Sequence, residues 1–207
     1  MTAPEQPQLY LVTPPAFELE PFAARLAAVL DSTAIACLRL SMATRDEDDI
    51  ARAADTLREV AHARDVALVV ADHTLLAQRL GLDGVHLGDA ARSVRAARKT
   101  LGADAIVGAF CGASRHDGMS AGEAGADYIS FGPVGDSTLD DGARAEPDLF
   151  QWWSEMIEVP VVAEGKLTPE RVAELAPVTD FFGIGIEIWG SDTPEEALAE
   201  LLAPLAG

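Results

Sequence analysis

The sequence is poor in lysine, cysteine and histidine, and each shortage removes a class of function. Only Lys99 and Lys166 are lysines, and 15 basic residues face 34 acidic ones for a formal charge of −19 over 207 residues. Such a surface repels nucleic acid and anionic lipid, so neither is expected as a partner. Cys37 and Cys111 are the only cysteines, each alone in an apolar stretch. Structural zinc takes four Cys or His ligands, and His62, His73, His86 and His116 do not join the cysteines at any such spacing. Both thiols therefore read as buried core groups rather than a disulfide or metal pair. No apolar run reaches the ~18 residues of a membrane span, and MTAPEQPQ carries no basic stretch ahead of an apolar one. A cytoplasmic protein is expected, with neither span nor signal peptide. Linkers and low-complexity tracts are missing too. Residues 1–207 read as one domain, long enough to bury a full core.

What the chain does contain is an alternation of short β-rich runs and amphipathic stretches. Strands are predicted at Gln8–Thr13, Ala34–Leu40, Val66–Ala71, Gly84–Leu87, Ala105–Phe110, Tyr128–Gly132, Val159–Ala163 and Phe181–Ile186. Helices are predicted at Glu18–Leu30, Asp46–Arg64, Thr74–Leu80, Arg92–Leu101, Gly118–Ala124, Pro147–Ile157, Pro169–Leu175 and Pro194–Leu202. Thr168-Pro169 and Thr193-Pro194 each put a capping hydroxyl before proline at the first helical position. Eight strand–helix repeats imply parallel strands with right-handed crossovers, and closure into a single (β/α)8 TIM barrel is the economical solution. A doubly wound open sheet is the alternative. Active sites of such barrels lie where the strands end, so the residues after each strand carry the functional question.

There the chain resembles the thiamine phosphate synthase family and its thiazole-tautomerase relatives. The matching segments are LYLVTPP (Leu9–Pro15), DGVHLG (Asp83–Gly88), SRHDGMSAGEAGADYISFGPV (Ser114–Val134), WWSEMIEVPVVA (Trp152–Ala163) and DFFGIGIEIW (Asp180–Trp189), in family order over nearly the whole chain. The resemblance implies a (β/α)8 barrel that joins a hydroxymethylpyrimidine diphosphate to a thiazole phosphate carboxylate. Mg²⁺ assists, and diphosphate and CO2 are released. It also suggests a homodimer; Trp152, Trp153 and Trp189 are interface candidates, or else are packed against barrel helices.

Compared with that family, several strand-end residues differ. The glutamine, arginine and lysine of its second strand are placed at Arg39, Ser41 and Ala43, leaving one cation. Its Asn-Asp pair becomes Ala71-Asp72, its second metal carboxylate falls at Ala91 with Asp89 two residues earlier, and a serine or threonine falls at Phe110. The threonine-rich loop reads GDSTLD (Gly135–Asp140), with Asp140 at the lysine position. Glu164 precedes Gly165-Lys166 where paired glycines hold phosphate, Gly185 replaces a small hydroxylated residue, and the tautomerase histidine falls at Pro133.

The candidate ligand-binding residues are therefore Arg39, Asp72, Gly165, Lys166 and Gly185, with Asp72 also the candidate for metal. Asp72 has a second reading as the N-cap of the helix opening at His73–Thr74. Arg39 either binds an anion or pairs with neighbouring acids, and His86 reads as a packed strand residue rather than a base. Asp136, Asp140, Glu164 and Glu187 form a candidate acidic rim that would take a hard or organic cation, or else is merely solvated. Each lost charged contact would remove about 2–4 kcal/mol of transition-state stabilisation. The expectation is a small-molecule site in thiamine biosynthesis whose ordinary turnover is largely lost. The alternative is a non-catalytic ligand-binding or regulatory barrel.

Overall fold

The computed structural model describes residues 6–135 and 143–206. Eight strands alternate with helices in the order β1 (Gln8–Val12), α1 (Leu19–Ser32), β2 (Cys37–Leu40), α2 (Glu47–His62), β3 (Ala67–Ala71), α3 (Thr74–Leu80), β4 (Gly84–Leu87) and α4 (Val94–Leu101). There follow β5 (Ile106–Phe110), α5 (Arg115–Ala124), β6 (Tyr128–Phe131), α6 (Pro147–Met156), β7 (Val161–Glu164), α7 (Pro169–Leu175), β8 (Phe181–Ile184), α8 (Ile186–Trp189) and α9 (Pro194–Leu201). Every strand is parallel to its neighbours, and β8 pairs with β1 from Gln8 opposite Phe181 onward. The ring is closed, and the open-sheet alternative is excluded.

The side-chain alternation of the strands sorts the interior into two compartments. Leu11, Leu38, Leu68, Val70, Val85, Val107, Ile129, Val161 and Phe182 face outward and pack under helix residues such as Leu26, Leu57, Ala77 and Leu175. Tyr10, Cys37, Val69, Tyr128 and Val162 face inward and fill the lumen. The lumen is thus a packed core rather than a pore. Gly108 makes one of its contacts possible: a Cβ there would lie 2.0 Å from the Tyr128 ring.

At the N-terminal end of the barrel three aspartates repeat one arrangement. Asp83, just before β4, accepts the Leu68 N–H of β3 at 2.6 Å. Asp127, before β6, accepts the Val107 N–H of β5 at 2.7 Å, and Asp180, before β8, accepts the Val161 N–H of β7 at 2.8 Å. Each satisfies a strand-end donor that the barrel ladder would leave exposed.

Two local expectations are corrected. The last strand stops at Ile184 instead of running to Ile186, because Gly185 turns the chain (φ −142°, ψ −98°) into the short α8. Thr168 caps α7 by accepting from Arg171 N–H at 3.3 Å, but the Thr193 side chain makes no backbone cap; its hydroxyl donates to Glu196 at 2.8 Å. Trp153 and Trp189 are buried, donating to the carbonyls of Val159 and Val12, and Trp152 lies half-buried against the Arg115 guanidinium. Among the described residues no helix is long and apolar enough to cross a membrane.

Candidate active site

The C-terminal mouth of the barrel is organised around Arg39. The inward positions of β2 and its extension are Cys37 in the lumen, then Arg39, then Ser41 at a mouth cavity. Ala43 lies exposed beyond them, its N–H donating to Pro15.

Arg39 is buried, with one guanidinium nitrogen 3.0 Å from Glu164 Oε2 of β7 and another 2.6 Å from His86 Nε2 of β4. Room for Glu164 comes from β8, where a Cβ on Gly183 would stand 2.8 Å from the Glu164 Cβ. The contact with Glu164 is a buried ion pair. Arg39 Nε has no hydrogen-bond partner among the described residues. Burial works against the charge on Arg39. The Glu164 carboxylate, followed by the Tyr10 and Tyr128 phenols, outweighs it and raises the guanidinium pKa.

Arginine can only donate, so His86 Nε2 must accept and Nδ1 carries the proton. That Nδ1–H donates to Tyr128 Oη at 2.9 Å, and Tyr128 and Tyr10 share a hydrogen bond at 2.6 Å. A polar chain thus runs from Glu164 at the mouth to Tyr10 within the lumen. Burial, then the Arg39 charge, holds the His86 pKa well below its ordinary 6.5, and burial above all raises both phenols. His86 is a neutral orienting group for Arg39.

On the β3–β4 side, Asp72 takes the left-handed backbone conformation (φ 59°) and accepts the Gly88 N–H at 2.6 Å. It does not cap α3; the N-cap position is His73, without a side-chain cap bond. Asp72 instead ties the end of β3 to the end of β4 and leaves its carboxylate at the mouth. Asp89 follows Gly88. Its Oδ2 accepts from Ser93 at 2.6 Å, and its Oδ1 is buried with no hydrogen-bond partner among the described residues. Mg²⁺ is commonly held by one or two carboxylates, with phosphates and water completing its shell. Asp72, which accepts the Gly88 N–H, and the orphaned oxygen of Asp89, the next residue, are the carboxylates such a mode would use. No three His, Cys, Asp or Glu side chains among the described residues form an all-protein cage.

The remaining candidates are placed as follows. Gly165 and Lys166 make a left-handed turn after β7 (φ 87° and 57°), whose Gly165 carbonyl accepts from Val134 and Gly135 at the end of β6. Lys166 is exposed on that turn. Glu187 is half-buried at the mouth, and both of its carboxylate oxygens are engaged: Oε2 accepts the Gly185 N–H at 2.8 Å and Oε1 the Leu167 N–H at 3.1 Å. Of the expected acidic rim, Glu164 and Glu187 are thus committed to partners within the chain, and Asp136 and Asp140 lie outside the described residues. Asp89 is the mouth residue with an orphaned oxygen that was considered only as a substitute for Ala91.

Two cavities open at the mouth. One, of about 270 Å³, lies between Thr13, Arg39, Ser41, Glu164, Gly185 and Glu187; the other, of about 630 Å³, reaches from Asp89 and Ala91 to Phe110 and His116.

The family profile described as "Thiamine monophosphate synthase" matches residues 9–184. The thiamine-phosphate synthase of Rhodospirillum centenum is 42% identical over 205 residues, covering 97% of this chain and 98% of the relative. That of Hyphomonas neptunium is 34% identical over 210 residues, covering 96% and 95%. Among solved structures, a thiamine phosphate pyrophosphorylase from Pyrococcus furiosus superposes with a TM-score of 0.82 at 22% identity, covering 96% of this chain and 95% of that one. A barrel with this mouth and these full-length relatives belongs to the thiamine monophosphate synthase family.

Proposed function

We propose that the protein is a transferase of thiamine biosynthesis that couples a pyrimidine methyl diphosphate to a thiazole, as its relatives' names suggest. The observation that carries this reading is Arg39, a buried cation on the mouth cavity, oriented by His86 and carrying an Nε without a hydrogen-bond partner. In the reaction implied by the family, the carbon–oxygen bond to diphosphate breaks with its electron pair going to the departing oxygen. The thiazole nitrogen then bonds to the freed methylene carbon, and the thiazole carboxylate leaves as CO2, its bonding pair staying on the ring carbon, which takes up a proton from solvent.

The residues divide this work. Arg39 stabilises the departing diphosphate, and the neutral His86 aims the guanidinium without adding a second charge. Started from Cys37, the family's alternating glutamine, arginine and lysine fall on Cys37, Arg39 and Ser41. That register keeps the family arginine in its own place. Asp72 and Asp89 would hold Mg²⁺, which supplies charge neutralisation to the diphosphate when bound. Phe110, on the wall of the larger cavity, offers an aromatic face to a flat pyrimidine. With these contacts kept, the reading favours turnover over a non-catalytic barrel, although Ala91 and Phe110 still lack the polar groups their family positions carry.

Single-turnover mixing of the protein with the pyrimidine diphosphate, a thiazole carboxylate and Mg²⁺ tests this. Product is expected, and Asp72→Ala and Arg39→Met should each lower its rate about 10²–10³-fold, as removal of one charge-stabilising donor does. No product with either the phosphorylated or the unphosphorylated thiazole would reject the coupling reading in favour of a barrel kept for another ligand.

A further inference from the structure

The lumen layer that contains Tyr10 and Tyr128 has a second side, turned toward the N-terminal end of the barrel. There the inward positions of β2 and β3 carry only Cys37 and Ala67, too small to fill the ring opposite Ile106, Val162 and Phe181. The result is a cavity of about 210 Å³ that opens at the base beside the exposed Gln8 and Asp127. It lies at the far end of the barrel from the mouth, and no step of the coupling reaction uses it.

The lining selects by charge. Asp127 is its one charged residue among the described residues, and that carboxylate is already engaged by the Val107 N–H at 2.7 Å and by Arg98. A cation entering here would lose hydration without gaining a free carboxylate, and an anion would meet no basic side chain on the lining. Tyr10, Tyr128 and Phe181 supply three aromatic rings, alongside Ile106 and Val162. An apolar cavity of roughly 150 Å³ holds a benzene molecule, so this one has room for a single ring with a small substituent.

The direction of the buried hydrogen bonds adds a polar requirement. Arg39 only donates, which makes His86 an acceptor at Nε2 and a donor to Tyr128 from Nδ1. The two phenols then hold two hydrogens but share a single contact, at 2.6 Å. One phenolic hydrogen is left without an acceptor among the described residues. Both phenols belong to residues that line the cavity, so an occupant carrying one acceptor atom would complete the chain.

We propose that the base of the barrel is a binding site for a small neutral aromatic molecule with one hydrogen-bond acceptor, such as a nitrile, ketone or ether substituent. The site is independent of the reaction at the mouth, and it ends on the same two tyrosines that hold His86.

The test is a ¹⁹F NMR titration of the full chain with 4-fluorobenzonitrile, 4-fluorotoluene, 4-fluorobenzoate and 4-fluorobenzylammonium. The nitrile should bind saturably. The toluene should bind about three- to tenfold more weakly for want of one hydrogen bond, and the two charged rings about tenfold or more weakly for their lost hydration. Ala67→Leu, which fills the cavity, should abolish binding of the nitrile while keeping a cooperative melting transition. If that variant does not fold, the wild type carries its own control, because Cys37 lines this cavity and Cys111 lines the larger one at the mouth. Saturating nitrile should slow modification of Cys37 by methyl methanethiosulfonate about fivefold or more, by blocking access, and leave Cys111 unchanged. No saturable binding, equal binding of the toluene or of either charged ring, full binding in a folded Ala67→Leu variant, or protection of Cys111 in place of Cys37 would each overturn the proposal.

Discussion

The two ends of this barrel use acidic residues in different ways. At the N-terminal end Asp83, Asp127 and Asp180 all perform one task, accepting the first free N–H of the preceding strand. At the C-terminal end each acid does something else: Glu164 balances Arg39, Glu187 covers two amides, Asp72 ties Gly88 and Asp89 keeps an oxygen unpartnered. Uniform acids at one end and individual acids at the other are what a division between stability and chemistry would produce. The net charge of −19 conceals that division, because the sum counts structural carboxylates and mouth carboxylates alike.

The sharpest way to break the comparison is Glu164, a mouth residue whose removal should behave like damage to a core. Arg39 is buried, and deleting its counter-ion leaves an uncompensated interior charge. Glu164→Leu is expected to lower unfolding free energy by about 3–5 kcal/mol, measured by urea denaturation. Replacing both partners, as Arg39→Met with Glu164→Leu, should restore most of that loss, since an apolar pair of similar volume is often no less stable than a buried ion pair. A double variant as unstable as the single one would show that the ion pair itself, rather than the stranded charge, sets the penalty.

Asp127 provides the opposite probe. Its carboxylate accepts from Val107 N–H and also pairs with Arg98, which donates to the Gly125 carbonyl at 2.9 Å. Asp127→Ala should cost about 1.5–3 kcal/mol of stability through the lost charged hydrogen bond, with single-turnover rate unchanged below the melting transition. A fall in rate without a fall in melting temperature would contradict the assignment of this end to stability.

How far the sequence disclosed these roles depended on whether a residue's task is local. The barrel was legible because alternation within strands and 3.6-residue periodicity in helices are local patterns, and the boundaries of β4, α3 and α7 agree with them. The end of β8 was not, since FFGIGIEIW is apolar beyond the turn at Gly185 and nothing in its periodicity announces α8. Asp72 had two plausible local roles and performs a third, because its partner, Gly88, comes sixteen residues later on another strand. The aspartates before β4, β6 and β8 did leave a signal, an Asp one residue ahead of each strand, and it was readable as a repeat.

The smallest expected effect concerns the polar chain that joins the mouth to the lumen. His86 accepts from Arg39 and donates to Tyr128, and it can do both only while neutral. Its pKa in the folded protein lies well below 6.5, held down first by burial and then by Arg39. The unfolded chain, with an ordinary imidazole, therefore takes up a proton below about pH 6.5 that the folded chain does not. Stability from this group is fully present above that pH and declines as the pH falls toward the lowered folded value, by up to about 1.4 kcal/mol per pH unit. The effect is isolated by comparison with His86→Gln, which has no imidazole to protonate. Between about pH 7.5 and 5.5 the wild-type urea midpoint should fall more steeply than that of the variant. Parallel slopes would mean that His86 is protonated within the fold. That would require a rearranged contact with Arg39, because an imidazolium has no lone pair left to accept its N–H.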